Sequence, residues 1–215
     1  AQQIDLSTYF VAVVFVLLDR LFLSLSWRSL LGLLSVRISV LRSYLYVWYG
    51  IYVDIIVPAE SVSGEISRIY LVSREQNGTG GKVAASLVAQ RLIGMSLNIA
   101  TLLIGIGMLL TETQVRGLIF DLSVLLAIIT AFFLALLMLL CVKEEWTLNT
   151  INVVIKLVER LTRGKWKMVR LREVIVKAAQ MFHDSMKEFV RSPKTLFTST
   201  FFYVVAWLFN LAAAY

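Results

Sequence analysis

Two prolines, one cysteine and one histidine are all that 215 residues provide of three side chains that break helices, cross-link chains or bind metals. The single cysteine, Cys141, cannot close an intrachain disulfide. The lone histidine, His183, followed by Asp184, excludes a histidine-rich metal centre and reads as half of a solvated pair on an amphipathic helix. No serine–histidine–acid set and no paired metal ligands stand out, so no metal, cofactor or catalytic residue is expected. Also missing are a basic leader with a cleavage site ahead of Gln2, Gln3 and Asp5, and a polar tail after Leu211–Tyr215. From both ends the chain reads as a piece of a longer protein, beginning in a loop and stopping at the end of a span. Period-two alternation is absent as well, which argues against a transmembrane barrel.

What the chain does have is apolar length. Hydrophobic residues make up 59% and the mean hydropathy is +0.79, against about 45–50% apolar in soluble domains. The excess lies in runs of roughly 20 residues, enough for a helix to cross a hydrocarbon core of about 30 Å. Lipid offers backbone groups no hydrogen bonds, so such runs must be helical. The expected fold is therefore all-α: one polytopic transmembrane helical bundle over residues 1–215. Spans are expected at about 9–27, 40–57, 82–110, 118–142 and 196–215. Pro58 ends the second, since proline lacks the N–H donor and clashes with the preceding turn. The polar stretch Ala59–Glu65 follows, then a short helix expected from about Ile66 to Glu75, closed by Asn77-Gly78-Thr79-Gly80-Gly81. That glycine-rich turn, followed by Lys82, is no phosphate loop: no strand precedes it and Val83 replaces the usual Ser or Thr.

Residues 143–194 differ. Ile151, Val154, Ile155, Val158 and Leu161 keep helical spacing, as do Leu171, Val174, Ile175, Ala178, Phe182 and Phe189. Two amphipathic helices are expected, with Trp146 and Trp166 near their ends, lying either on the membrane surface or packed on the protein. This stretch carries 12 of the 21 Lys+Arg and 6 acids, so 12 − 6 gives +6 of the formal +7. Basic loops stay cytoplasmic. That places 143–194 inside, the Glu112–Arg116 turn outside, Lys82, Arg28, Arg37 and Arg42 inside, and Ala1 outside. Residues 58–76 must then bring the chain back to the side it left. A helix of about ten residues covers roughly 15 Å, half a bilayer, so this segment is expected to be re-entrant.

Ionisable residues at membrane depth cost about 2.5–3.5 kcal/mol or more and so face a cavity or a partner. Glu60, Glu65 and Arg68 cluster in the re-entrant segment, Asp54 lies one turn before Pro58, and Arg91 sits inside the long third span. One reading is a polar cavity in which Arg68 and Arg91 hold phosphate while Glu60 or Glu65 orients them or meets an amine. The other is that the charges pair with each other to stabilise a broken helix. Arg42, Tyr46, Tyr49 and Val53 share a face that lines a head-group path or forms part of an interfacial aromatic belt. Gly94, Asn98, Thr101 and Gly105 share another, suited to close helix packing. Asp19–Arg20 reads as a local ion pair or a bundle contact.

The order Pro58, Ser63-Gly64-Glu65-Ile66-Ser67-Arg68, Tyr70-Leu71 and Arg74 resembles the signature of the lysylphosphatidylglycerol synthase transmembrane, or flippase-like, family. The small-residue helix Ala84-Ala85-Ser86 with Gln90-Arg91 and the turn Arg191-Ser192-Pro193 fit it too. Ser63 stands where a glycine is usual, Gln90 where a glutamate is, and Gly94 replaces an aspartate. The resemblance implies a cell-membrane protein that binds and translocates an anionic phospholipid or a polyprenyl-phosphate head group. Head-group residues would be Glu60, Gly64, Glu65, Arg68 and Arg91, with Arg42, Tyr46, Tyr49 and Asp54 along the path. Two alternatives stand beside it. One is an accessory subunit that docks on a larger membrane complex through the Gly94 face and the amphipathic pair, with a homo-oligomer as the alternative assembly. The other is the membrane half of a lipid transferase whose soluble domain lies elsewhere.

Overall fold

The computed structural model describes residues 6–57, 62–111, 117–143, 145, 149, 153 and 169–214. Every element among them is a helix: α1 (Leu6–Leu33), α2 (Val40–Ile56), α3 (Val62–Glu75), α4 (Gly80–Thr111), α5 (Leu118–Val142), α6 (Val169–Arg191) and α7 (Pro193–Ala214). The all-helical expectation holds. Four of these helices, α1, α4, α5 and α7, are long and apolar enough to cross a membrane, which makes this a multi-pass membrane protein. Two boundaries differ from expectation. α1 runs on past Trp27 to Leu33. α3 starts at Val62 rather than Ile66. α2, expected as a full span, has 17 residues, about 26 Å by helical rise. Its end is set locally: Val57 is extended, at φ −111 and ψ 100, as the residue before a proline must be. The first expected amphipathic helix and the Glu112–Arg116 turn lie largely outside the described residues.

The described chain forms two compact units, Ala1–Gln90 with Gln180–Tyr215, and Arg91–Ala179. In the first, α1 and α7 pack along their length. Ser26 and Ser199 share a buried hydrogen bond of 2.9 Å, Phe22 stacks on Phe209 at 5.6 Å, and Phe15 reaches the same ring at 5.9 Å. Small residues let the backbones approach where lipid supplies no hydrophobic drive between helices. Below that crossing Trp27, Leu30, Leu31 and Leu34 of α1 meet Val47 of α2, Val72 of α3, Val83 of α4 and Phe189 of α6 in one buried cluster. Phe182 and Met186 pack against it, and His183 is buried rather than solvated. The C-terminal half of α6 is therefore laid on the protein.

The α1–α2 connector is held tightly. Val36 N–H reaches Leu31 O and Ser35 N–H reaches Gly32 O, with Ser35 left-handed at φ 61, the double bond pattern that closes a helix C-terminus. Three side chains then donate to its carbonyls: Arg28 to Ile38 at 3.0 Å, Gln76 to Arg37 at 2.7 Å, and Lys82 to Leu34 at 3.0 Å. The last two come from the far side of α3. The α1–α2 connector and the α3–α4 turn thus lie side by side.

In the second unit α5 exposes apolar residues around its whole circumference, among them Leu125, Ile128, Phe132, Phe133 and Met138, the signature of a lipid-facing helix. Among the described residues the close packing expected on the Gly94 face stops short: Gly94 is buried, but Asn98 and Thr101 are exposed and a Cβ on Gly105 would meet nothing within 4 Å.

Candidate functional site at the helical hairpin

α2 and α3 run antiparallel, fastened at both ends. At the connector end Arg42 pairs with Glu75 at 3.0 Å and the Tyr46 hydroxyl donates to the same carboxylate. At the far end Asp54 takes the N-terminus of α3: its Oδ1 accepts from Gly64 N–H at 2.7 Å and from Ser63 Oγ at 2.6 Å. A carboxylate there satisfies orphan donors and meets the positive end of the helix dipole. This explains the early start of α3. The cap comes from another helix, so Ser63-Gly64-Glu65 joins the helix.

Between the fasteners the backbones almost touch. A Cβ on Gly64 would lie 2.5 Å from Gly50 O and 2.8 Å from Asp54 Cγ, and one on Gly50 would meet Arg68 Nε at 2.6 Å. Arg68 passes against Gly50, and its guanidinium carbon sits 5.8 Å from the centroid of the Trp27 ring, within cation–π range. Trp27 is fully buried and fixed, its indole N–H donating to Ser86 Oγ at 2.9 Å and Ser86 in turn to Val83 O. Arg68 is thus sandwiched between α2 backbone and an α1 ring. Its Nε is buried and has no hydrogen-bond partner among the described residues.

Of the residues singled out from the sequence, Gly64, Glu65, Arg68 and Asp54 meet in this one place. Asp54 caps the N-terminus of α3. Glu60 lies outside the described residues. Arg91 is exposed on α4 and belongs to the other compact unit; the site is built from the first unit. Tyr46 and Tyr49 do line a groove of about 530 Å³ with Leu45, Trp48, Tyr52 and Leu71; it opens on the outer face of α2 and is almost wholly apolar. Arg42 sits at its connector end, bound to Glu75. Sequence reasoning missed Gly50 and Trp27, whereas the Asp19–Arg20 ion pair was expected. Gly50 had a readable signal, a glycine one turn before Asp54 in an aromatic-rich helix. Trp27 had none, because its partner lies 41 residues away at Arg68. Asp19 is held twice over, by Arg20 Nε at 3.2 Å and by Asn210 of α7.

Residues 2–215 match the family profile described as the lysylphosphatidylglycerol synthase TM region. Among curated proteins the chain is similar to the UPF0104 membrane protein PH1989 of Pyrococcus horikoshii, 18% identical over 98% of this chain and 63% of that protein. The chain therefore spans a little under two thirds of that relative's length. No solved structure matches it significantly.

Proposed function

The chain belongs to the lysylphosphatidylglycerol synthase transmembrane family, and on that footing we propose that it binds the anionic head group of a membrane lipid at the α2–α3 hairpin and passes it between leaflets. The lipid is an anionic phospholipid or a polyprenyl phosphate, and the chain itself makes and breaks no covalent bond. One observation carries the reading. The hairpin leaves and returns at adjacent connectors, joined by Gln76–Arg37 and Lys82–Leu34 hydrogen bonds, which supports a re-entrant element. Arg68 stands 76 − 68 = 8 residues in from the end of that element, about 12 Å along the helix axis. A cation at such depth is expensive and is retained where it meets a ligand or a partner.

The basic connectors carrying Arg28, Arg37, Arg42, Arg74 and Lys82, with the strongly basic 143–194 stretch, face the cytoplasm of the cell membrane in this reading. The head group travels along the hairpin while the tails stay in lipid, against the apolar aromatic groove of α2. The test is translocation of a fluorescent anionic lipid by the full-length protein in liposomes. Arg68→Ala is expected to abolish it while insertion and monodispersity persist. Transport at the wild-type rate in that variant would sink the proposal.

A further inference from the structure

The groove on the outer face of α2 has a cation at its mouth. Leu45, Trp48, Tyr49 and Tyr52 fall at helical spacing on the side of α2 away from its buried residues Ser43, Val47 and Gly50. With Tyr46 and, from α3, Leu71 they enclose about 530 Å³. Trp48 is held edge-on by Tyr44, with ring centroids 6.2 Å apart. A plain interfacial belt of aromatic rings needs no hollow, yet these rings stand round one. One turn nearer the connector, Arg42 binds the same Glu75 carboxylate as the groove residue Tyr46, which ties the cation to the groove wall. Arg42 has donors to spare. Its Nη1 meets Glu75 at 3.0 Å and its side chain is 60% exposed, while Nε and Nη2 have no partner among the described residues. Arg74 follows Leu71 by one turn on α3, so the two share a face. It is exposed and makes no hydrogen bond or ion pair among the described residues. Two arginines against one glutamate leave one positive charge at the mouth.

We infer that this groove seats one anionic phospholipid of the leaflet on the connector side, with a tail along the Leu45–Tyr52 stripe and its phosphate on the free edge of Arg42. This rests on the membrane placement of the hairpin in the reading above and adds to it a second lipid site. Gly50, against which Arg68 passes, is on the other side of α2, so the two sites do not overlap. A hollow on a lipid-facing helix pair is filled, because its lining otherwise forfeits dispersion contacts, and lipid tails are what surrounds it. The stripe spans 52 − 45 = 7 residues, about 10 Å along the axis, which fits within one leaflet of a core about 30 Å thick. Apolar walls exclude a head group from the groove and the charged mouth excludes a tail, so the lipid has one orientation. Guanidinium forks match phosphate geometry with paired hydrogen bonds. Glu75 keeps Arg42 in place at the mouth and is not displaced.

The experiment is photo-crosslinking of the full-length protein in phosphatidylcholine vesicles doped with phosphatidylglycerol that carries a diazirine in one tail, followed by peptide mapping of the adducts. Adducts are expected on the Leu45–Tyr52 segment, and unlabelled phosphatidylglycerol is expected to compete for them better than phosphatidylcholine does. Arg42→Gln is expected to reduce that preference about fivefold. Leu71→Trp, which fills the groove, is expected to remove the adducts. Adducts no denser there than on α5, whose exposed apolar residues face lipid all round, overturn the groove. Equal competition by the two lipids overturns the phosphate seat. Should Arg42→Gln fail to fold, Arg74→Gln leaves the Glu75 clasp intact and carries the test; a reduced preference supports the seat and an unchanged one overturns it. Arg68→Ala separates this site from the head-group reading. Adducts retained with translocation lost support both, and adducts retained with translocation at the wild-type rate sink the head-group reading alone. Adducts lost in Arg68→Ala overturn the groove and assign the lipid to the hairpin.

Discussion

A methyl group is the smallest available probe of how closely α2 and α3 approach. In Gly64→Ala the new carbon would sit 2.5 Å from the Gly50 carbonyl oxygen and against Asp54, both backbone or fixed cap atoms, so the helices must part. The expected cost is about 1–3 kcal/mol, as for other overpacked sites, together with a weakened cap. Thermal unfolding in detergent measures it. Gly105→Ala is the contrast, since nothing lies within 4 Å of its new carbon and alanine is the better helix former by about 1 kcal/mol. It is expected to leave stability unchanged or raise it. Equal destabilisation by both would mean that glycine matters here for helix flexibility rather than for contact. At the same scale Arg68 and Trp27 show what sequence alone hides. An arginine in a polar segment was readable as a candidate; the tryptophan that seats it was not, because that pairing exists only after α1 and α3 have packed.

Elements reveal more of themselves in the sequence than their partners do. The apolar runs located α4, α5 and α7 to within a few residues, and Pro58 marked the end of α2, because those signals are local: lipid-matched length, and a missing N–H. The start of α3 was misjudged because its cap is supplied by Asp54, ten residues upstream on another helix. The amphipathic pattern of α6 was readable, yet its destination was not, since an apolar face fits a membrane surface and a protein core equally well; Phe189 and the buried His183 settle it. The α1–α7 contact, with Ser26 bonded to Ser199, was invisible among many serines. A double-mutant cycle on Ser26→Ala and Ser199→Ala is expected to give a coupling of about 0.6 kcal/mol, typical for hydrogen bonds between membrane helices. Ser199→Leu is expected to cost several times more by forcing the helices apart. Chemical denaturation in mixed micelles reads both, and zero coupling would assign the serines to packing alone.

For the molecule as a whole the decisive quantity is which residues share a side of the membrane. In a Cys141→Ala background, single cysteines at Arg37, Asn77 and Lys187 are expected to react with an impermeant thiol reagent from the cytoplasmic side only, and one at Thr113 from the opposite side. Labelling of Arg37 and Asn77 from opposite faces would mean that the hairpin crosses. The hydrogen bonds from Gln76 and Lys82 to the α1–α2 connector carry a mechanical meaning as well. A panel hung by two hinges on one post has a single easy motion, a swing about that post. The α2–α3 pair is such a panel. Clasped along its length by Asp54 at the free edge and Glu75 at the hung edge, it turns as one piece, and its free edge travels farthest. What that swing must release is the contact of Arg68 with the Trp27 ring, so in the proposed reading the residue assigned to the head group is also the catch that holds the panel shut.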